Sequence, residues 1–227
     1  MPLTTSPKFF LSEGREFPEG TILKIWHTTE SEETLSALFP AAAAEASERL
    51  SAVTAPHRRL EILVAHILFR LALPDGAHLA HLPSGRPVAE GADLHVSITH
   101  SHGYIALALS PAPIGIDFET WSPRALRISD KFLTAGEKAL LGKEGDAGTD
   151  AGKEAVRLWA AKEAAFKLWD AADTTVHEDI LLQRTRSGAL RAFHTKNPVL
   201  RADICFPESG EALSGIGAFA VARFPLS

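Results

Sequence analysis

Two carboxylates stand two residues apart in Ile114-Gly115-Ile116-Asp117-Phe118-Glu119. In an extended strand successive side chains alternate, so Asp117 and Glu119 share a face with Gly115, while Ile114, Ile116 and Phe118 take the other. Carboxylates so placed repel one another unless a cation sits between them. The neighbouring glycine leaves room for a ligand. A third acidic group comes in Trp159-Ala160-Ala161-Lys162-Glu163-Ala164-Ala165-Phe166-Lys167. At about 100° per residue along a helix, Ala155, Trp159, Lys162, Glu163, Phe166 and Trp169 fall on one broad face. Glu163 then lies among the bulkiest apolar side chains, where a carboxylate needs a partner. One candidate is an ion pair with Lys162 or with Lys167, the latter in the favourable Glu-before-Lys order at i+4. The other is a metal ion shared with Asp117 and Glu119. Three carboxylates without a cysteine or histidine cluster suit a hard, oxygen-seeking ion. Magnesium commonly takes a few carboxylates and fills its remaining positions with water and substrate phosphate oxygens.

Phosphate partners are available in the same sequence. Arg58 and Arg59 open an apolar helix, and Arg86 sits in Ser84-Gly85-Arg86-Pro87. Thr99 and His100 belong to Ser97-Ile98-Thr99-His100-Ser101-His102. Several common chemistries are missing. There is no Walker loop, no dinucleotide fingerprint and no HExxH zinc helix. The GxSxG nucleophile elbow is absent as well.

The elements that must position these groups are readable from periodicity and breakers. Strands are expected at Thr21–Trp26, Leu94–Thr99, Tyr104–Leu109 and Ile114–Glu119, and again at Ile180–Gln183, Ala189–Phe193, Ala202–Phe206 and Ala218–Phe224. In the second of these, Leu94, Val96 and Ile98 oppose His95, Ser97 and Thr99. Capping-box patterns at Thr29/Glu32 and Thr134/Glu137 predict helix starts. Helices are expected over Ala41–Leu50, His57–Leu73 and Ala155–Asp170. Residues 74–91, rich in Gly and Pro, read as a loop, and Gly142–Lys153 reads as a mobile one. The fold class is α+β, with helices and short strands in both halves. No repeat is visible residue by residue.

Composition sets the frame. The chain has 227 residues and a net charge of −5, which gives no basic excess for a nucleic-acid binder. Its one cysteine, Cys205, allows no internal disulfide and fits a reducing compartment. The opening residues lack a signal-peptide layout, and the most apolar stretch, Leu60–Leu73, is broken by His66 and Arg70. A cytoplasmic protein without a membrane partner is the expectation.

Taken together, Gly115-Ile116-Asp117-Phe118-Glu119 and Trp159-Ala160-Ala161-Lys162-Glu163-Ala164 resemble the GxDxE…WxxKEA pair of the 4′-phosphopantetheinyl transferases. Ser97–Ser101 is similar to that family's SISHS strand and Gly85-Arg86-Pro87 to its GKP turn. Arg58-Arg59-Leu60-Glu61 resembles the start of its first long helix. The length suits the monomeric Sfp-type branch, in which two similar α/β halves form a pseudodimer; here these would be 1–112 and 113–227. The resemblance implies that coenzyme A binds between the halves. A serine of an apo acyl or peptidyl carrier protein attacks its pantetheine-side phosphorus, and adenosine 3′,5′-bisphosphate leaves. It implies Mg²⁺ on Asp117, Glu119 and Glu163, with Glu163 or a metal-bound water as base, and Lys162 and Lys167 near the diphosphate. It also implies coenzyme A contacts from Arg58, Arg59, Arg86, Thr99 and His100. Thr99 replaces the motif's serine and Arg86 its lysine. In Pro40–Leu50, where the family often has basic residues, only Arg49 is positive. Two other readings use the same residues: a non-catalytic module that binds carrier protein or coenzyme A, and an unrelated magnesium-dependent diphosphate hydrolase. For the transferase a monomer is expected.

Overall fold

The computed structural model describes residues 8–11, 17–73, 76–142, 150–171, 173–207 and 215–225. The chain divides into two compact units, one built on Glu19–Ala112 and the other on Pro113–Ser227. Each is an antiparallel sheet with helices, the α+β class expected from sequence.

The first unit holds β1 (Lys8–Leu11), β2 (Ile22–His27), α1 (Glu32–Leu38), α2 (Pro40–Ser51), α3 (Pro56–Ala72), β3 (His78–His81), β4 (Pro87–Glu90), β5 (His95–Ser101) and β6 (Tyr104–Ser110). Its sheet runs β1-β2-β6-β5-β4-β3. The long helix α3 packs on β2 and β6. Ile62–Phe69 are all buried, because the apolar residues at helical spacing meet Trp26, Val96, Ile105, Leu107 and Leu109 of the sheet. Two local expectations change. Ser31, not Thr29, caps α1 by accepting from the Thr34 N–H. The stretch read as a loop contains the hairpin β3–β4, whose turn places Gly85 at φ 88. Four-residue strands flanked by Pro and Gly are too short to show a period.

The second unit holds β7 (Ile114–Thr120), α4 (Pro123–Arg127), two 3₁₀ turns (Ser129–Lys131 and Glu137–Leu141), α5 (Ala151–Trp169), β8 (Ile180–Arg184), β9 (Leu190–His194), β10 (Arg201–Cys205) and β11 (Gly217–Arg223). Its sheet runs β7-β11-β10-β9-β8. Helix α5 begins four residues before the expected Ala155, because Asp150 caps it by accepting from the Gly152 and Lys153 N–H groups. The rest of the expected mobile loop, 143–149, lies outside the described residues.

Both units follow one connectivity. A first strand leads through helices to a long helix, and then a four-stranded meander returns its last strand beside the first. Thus β2-β6-β5-β4-β3 has the same order as β7-β11-β10-β9-β8, and α3 stands where α5 does. The similarity of the halves resides in topology, since the side chains at matching places differ. Among the described residues no helix is long and apolar enough to cross a membrane.

Candidate active site

Register explains how the carboxylates meet the helix. Gly115, Asp117 and Glu119 pair with Ala222, Ala220 and Ala218, so five small or acidic residues and one glycine make up this part of the sheet face. Helix α5 lies on it through Ala161, Ala164, Ala165 and Leu168, all buried. The approach is close. A Cβ on Gly115 would come within 2.0 Å of the Ala164 carbonyl oxygen and 2.7 Å of the Leu168 nitrogen. The space beside the carboxylates, expected to admit a ligand, is therefore filled by helix backbone. Glycine at 115 seats α5; it opens no cavity.

That seating fixes the polar contacts. Trp159, Glu163 and Lys167 follow one another at i+4 along α5 and form a stripe. Trp159 donates its indole N–H to Glu119 Oε1 at 3.1 Å, and its ring is held edge-on by the buried Phe132 at 5.0 Å between centroids. Lys167 Nζ donates to Asp117 Oδ1 at 2.7 Å and to the Ile116 carbonyl at 3.2 Å. Glu163 stands between these clasps, half-buried. Burial first, then the negative charges of Asp117 and Glu119, push its carboxyl up to about 7, with Lys167 pulling the other way. Of the two lysines weighed as partners of Glu163, Lys167 binds Asp117 and Lys162 turns elsewhere.

Lys162 is fully buried, away from this stripe. Its Nζ donates to Glu137 Oε2 at 2.9 Å and meets the Val176 and His177 carbonyls at 3.3 and 3.5 Å. Glu137 also accepts from the Thr134 N–H and hydroxyl, each at 2.8 Å, and from the Leu182 N–H at 2.8 Å. The capping box read at Thr134 is present, and its glutamate joins the turn, α5 and β8. Glu137 was visible in sequence only as a cap, and nothing there tied it to Lys162.

In the first unit the predicted phosphate contacts separate. Arg58 Nη1 donates to Glu61 Oε2 at 2.9 Å and meets His100 Nε2 at 2.7 Å, while His100 Nδ1 lies 3.2 Å from Glu61 Oε1. Arg59 instead grips Glu32 through Nε at 2.8 Å and Nη2 at 2.5 Å. It also donates to the carbonyls of Leu50 and Val53 at the end of α2. Arg58 faces the histidine and Arg59 ties helices together. Thr99 is buried on one face of β5 and His100 emerges on the face carrying α3, since the residues are adjacent. Arg86 occupies the β3–β4 turn, where its carbonyl accepts from the Leu82 N–H at 2.9 Å.

Three carboxylates on one strand–helix seam fit a hard divalent cation in donor chemistry. Among the described residues no group of three His, Cys, Asp or Glu is gathered as a metal site, Asp117 and Glu119 being engaged by Lys167 and Trp159. The mutual electrostatic influence of Asp117, Glu119 and Glu163 is what recommends them as the set that would hold one.

A strand–helix seam of this kind, repeated in connectivity by a unit without the carboxylates, defines a duplicated α+β protein with its acidic centre in the second half. Comparison with known proteins shows what the chain resembles. Residues 113–211 match the family model of the 4′-phosphopantetheinyl transferase superfamily. The chain is 32% identical over 131 residues to the 4′-phosphopantetheinyl transferase psf-1 of Bacillus pumilus, covering 54% of each chain. It is 32% identical over 117 residues to the 4′-phosphopantetheinyl transferase Sfp of Bacillus subtilis (strain 168), covering 49% of this chain and 51% of the relative. The chain thus spans about half the length of the curated relatives it matches. Part of the chain, residues 113–211, is thus similar to the 4′-phosphopantetheinyl transferase superfamily, and about half of it is similar to the two Bacillus transferases.

Proposed function

We propose that this chain transfers the 4′-phosphopantetheine group of coenzyme A to a serine of an apo acyl or peptidyl carrier protein. The observation that carries the reading is the stripe Trp159–Glu163–Lys167 clasped onto Glu119 and Asp117. It aligns the residues of both family motifs on one seam within residues 113–211, which match the family model. The relatives' names, 4′-phosphopantetheinyl transferase, support the same chemistry.

In this reading the serine oxygen forms a bond to the pantetheine-side phosphorus and the P–O bond to the adenosine bisphosphate breaks. Glu163 takes the serine proton, directly or through water, and Lys167 offers positive charge toward the diphosphate. Asp117, Glu119 and Glu163 would hold Mg²⁺, whose charge would offset that of the diphosphate. Arg58 and His100, with Arg86 and Thr99, serve coenzyme A from residues 1–112. In this reading Lys162, buried and paired with Glu137, holds α5 in place.

The test is to incubate the protein with coenzyme A, Mg²⁺ and an apo carrier protein and to weigh the carrier. A phosphopantetheine-sized increase is expected, lost on chelation of the metal and in Glu163→Ala and Asp117→Ala. No increase with any of several carriers refutes the reading, and cleavage of coenzyme A without carrier modification turns it into a hydrolase.

A further inference from the structure

The second sheet turns one face to α5 and the other away from it. Leu190, Ala192, Ala202, Ile204 and Ala222 join the core beneath α5. By strand alternation Arg191, Asp203, Cys205 and Arg223 take the opposite face. Register sets three of them in line. Arg191 pairs with Asp203 and Asp203 with Arg223, straight across β9, β10 and β11. One carboxylate thus stands between two guanidiniums, and it is held by one of them. Asp203 Oδ1 accepts from Arg191 Nε at 2.7 Å and lies at the same distance from Arg191 Nη2. Among the described residues Arg223 joins no ion pair, and its Nε, shut from water, has no hydrogen-bond partner.

The β8–β9 turn completes a groove here. Its Thr185, Arg186 and Ser187 line, with Arg191, Asp203, Cys205 and Arg223, a cavity of about 470 Å³. That volume suits a small molecule. Arg186 is exposed and, among the described residues, joins no ion pair either. The hydroxyls of Thr185 and Ser187 lie 2.8 Å apart, a bond that uses one of their two hydrogens and leaves the other to donate. The turn is pinned by the Thr185 N–H on the Ala189 carbonyl at 2.8 Å and the Gly188 N–H on the Thr185 carbonyl at 2.9 Å.

Three guanidiniums against one carboxylate leave the groove with two uncompensated positive charges. A guanidinium N–H that water does not reach is costly until an acceptor meets it. The planar fork of an arginine fits phosphate oxygens, and hydroxyl donors from the turn suit the remaining oxygen of a tetrahedral group. We propose that this groove binds a phosphate dianion, free or as the head of a small monoester. Arg223 and Arg186 supply its charge partners and the Thr185–Ser187 pair a further donor. The site lies wholly within the second unit, on the sheet face opposite the one that carries Asp117 and Glu119, and it takes no part in the transfer proposed above.

Cys205, the single cysteine of the chain, is partly exposed in the wall of the groove and serves as a local reporter. Its alkylation by iodoacetamide is followed by mass at fixed ionic strength, with inorganic phosphate, ribose 5-phosphate, ribose or succinate added. Both phosphates should slow alkylation saturably, while ribose and the dicarboxylate should not. The phosphate that half-protects at the lower concentration identifies the free ion or the monoester as the better ligand. Arg223→Gln should raise the half-protecting concentration about 10- to 100-fold, the range for one charge-assisted hydrogen bond. Should Arg223→Gln fail to fold, Arg186→Gln, on the exposed turn, decides. Alkylation that neither phosphate slows overturns the proposal. So does protection by succinate equal to that by phosphate, or protection that survives both substitutions. Because the readout is confined to Cys205, phosphate held in the first unit leaves the result unchanged.

Discussion

Replacing the two partners of the Lys162–Glu137 pair should have unequal consequences. Both side chains are buried, at 0% and 4% exposure. Glu137→Leu leaves the ammonium with two long carbonyl contacts, at 3.3 and 3.5 Å, and strips the Leu182 and Thr134 N–H groups of their acceptor. Breaking a buried pair so that a charge is stranded costs about 3–5 kcal/mol. Lys162→Met leaves the carboxylate three donors at 2.8 Å, from Thr134 N, Thr134 Oγ1 and Leu182 N. Its loss is nearer the net worth of one charged hydrogen bond, about 1.5–3 kcal/mol. Urea unfolding followed by tryptophan fluorescence suits the measurement, because Trp121, Trp159 and Trp169 lie in the second unit and only Trp26 in the first. Glu137→Leu should fall further in midpoint than Lys162→Met, and the double variant should be less destabilised than the sum of the two. A Lys162→Met as damaging as Glu137→Leu refutes the reasoning. Unchanged stability with abolished carrier modification would instead return Lys162 to the chemistry.

Gly115→Ala places a methyl where the Ala164 carbonyl oxygen stands. It should lift α5 from the sheet, lower stability by about 1–3 kcal/mol and abolish carrier modification, as read by unfolding and by mass. Asp179 supplies a pH signature. The Thr175 N–H foremost, then Lys196, pull its carboxyl from 3.8 down to about 2. A folded value below the unfolded one stabilises above about pH 4 and is lost as pH falls through 2. Asp179→Asn should therefore be less stable than wild type near neutrality and converge with it at the acid end of a circular-dichroism titration. Arg59→Gln should lower the thermal midpoint while coenzyme A affinity holds, because Arg59 binds Glu32 and the end of α2. Weaker binding at unchanged stability would return it to the substrate contacts.

The strands of the second half were legible as short apolar or alternating runs set off by turn residues, and α3 because its apolar spacing is helical. The β3–β4 hairpin was hidden by its own brevity, with Pro83, Ser84 and Gly85 outweighing four-residue strands. The early start of α5 was masked by Gly152 and the charges around it, although Asp150 is an ordinary cap. At the candidate site, strand alternation correctly put Asp117 and Glu119 on one face with Gly115. Alternation carries no information about what covers that face, so a glycine that reads as a vacancy in sequence is a helix seat in the fold. The split roles of Arg58 and Arg59 follow from a 100° turn of α3, which aims one toward His100 and the other toward Glu32. Partners 27 or 42 residues away are set by packing and leave no local signal.

The shared connectivity also sets a schedule for synthesis. In each unit an early strand must wait for the last one, β2 for β6 beside its earlier neighbour β1 and β7 for β11, across nearly the whole segment. The first sheet can close once residue 110 has left the ribosome, before the residues of β7 have emerged. The second must hold its carboxylate-bearing strand unpaired until 217–223 arrive, with Ile114, Ile116 and Phe118 in need of cover. Late pairing of distant strands is slow and leaves edges open to misassociation. A chain cut at residue 216 would keep the first unit's sheet and lose β11, the strand that joins β7 to the rest of the second sheet. The half that carries the acidic residues is thus the half whose sheet closes last.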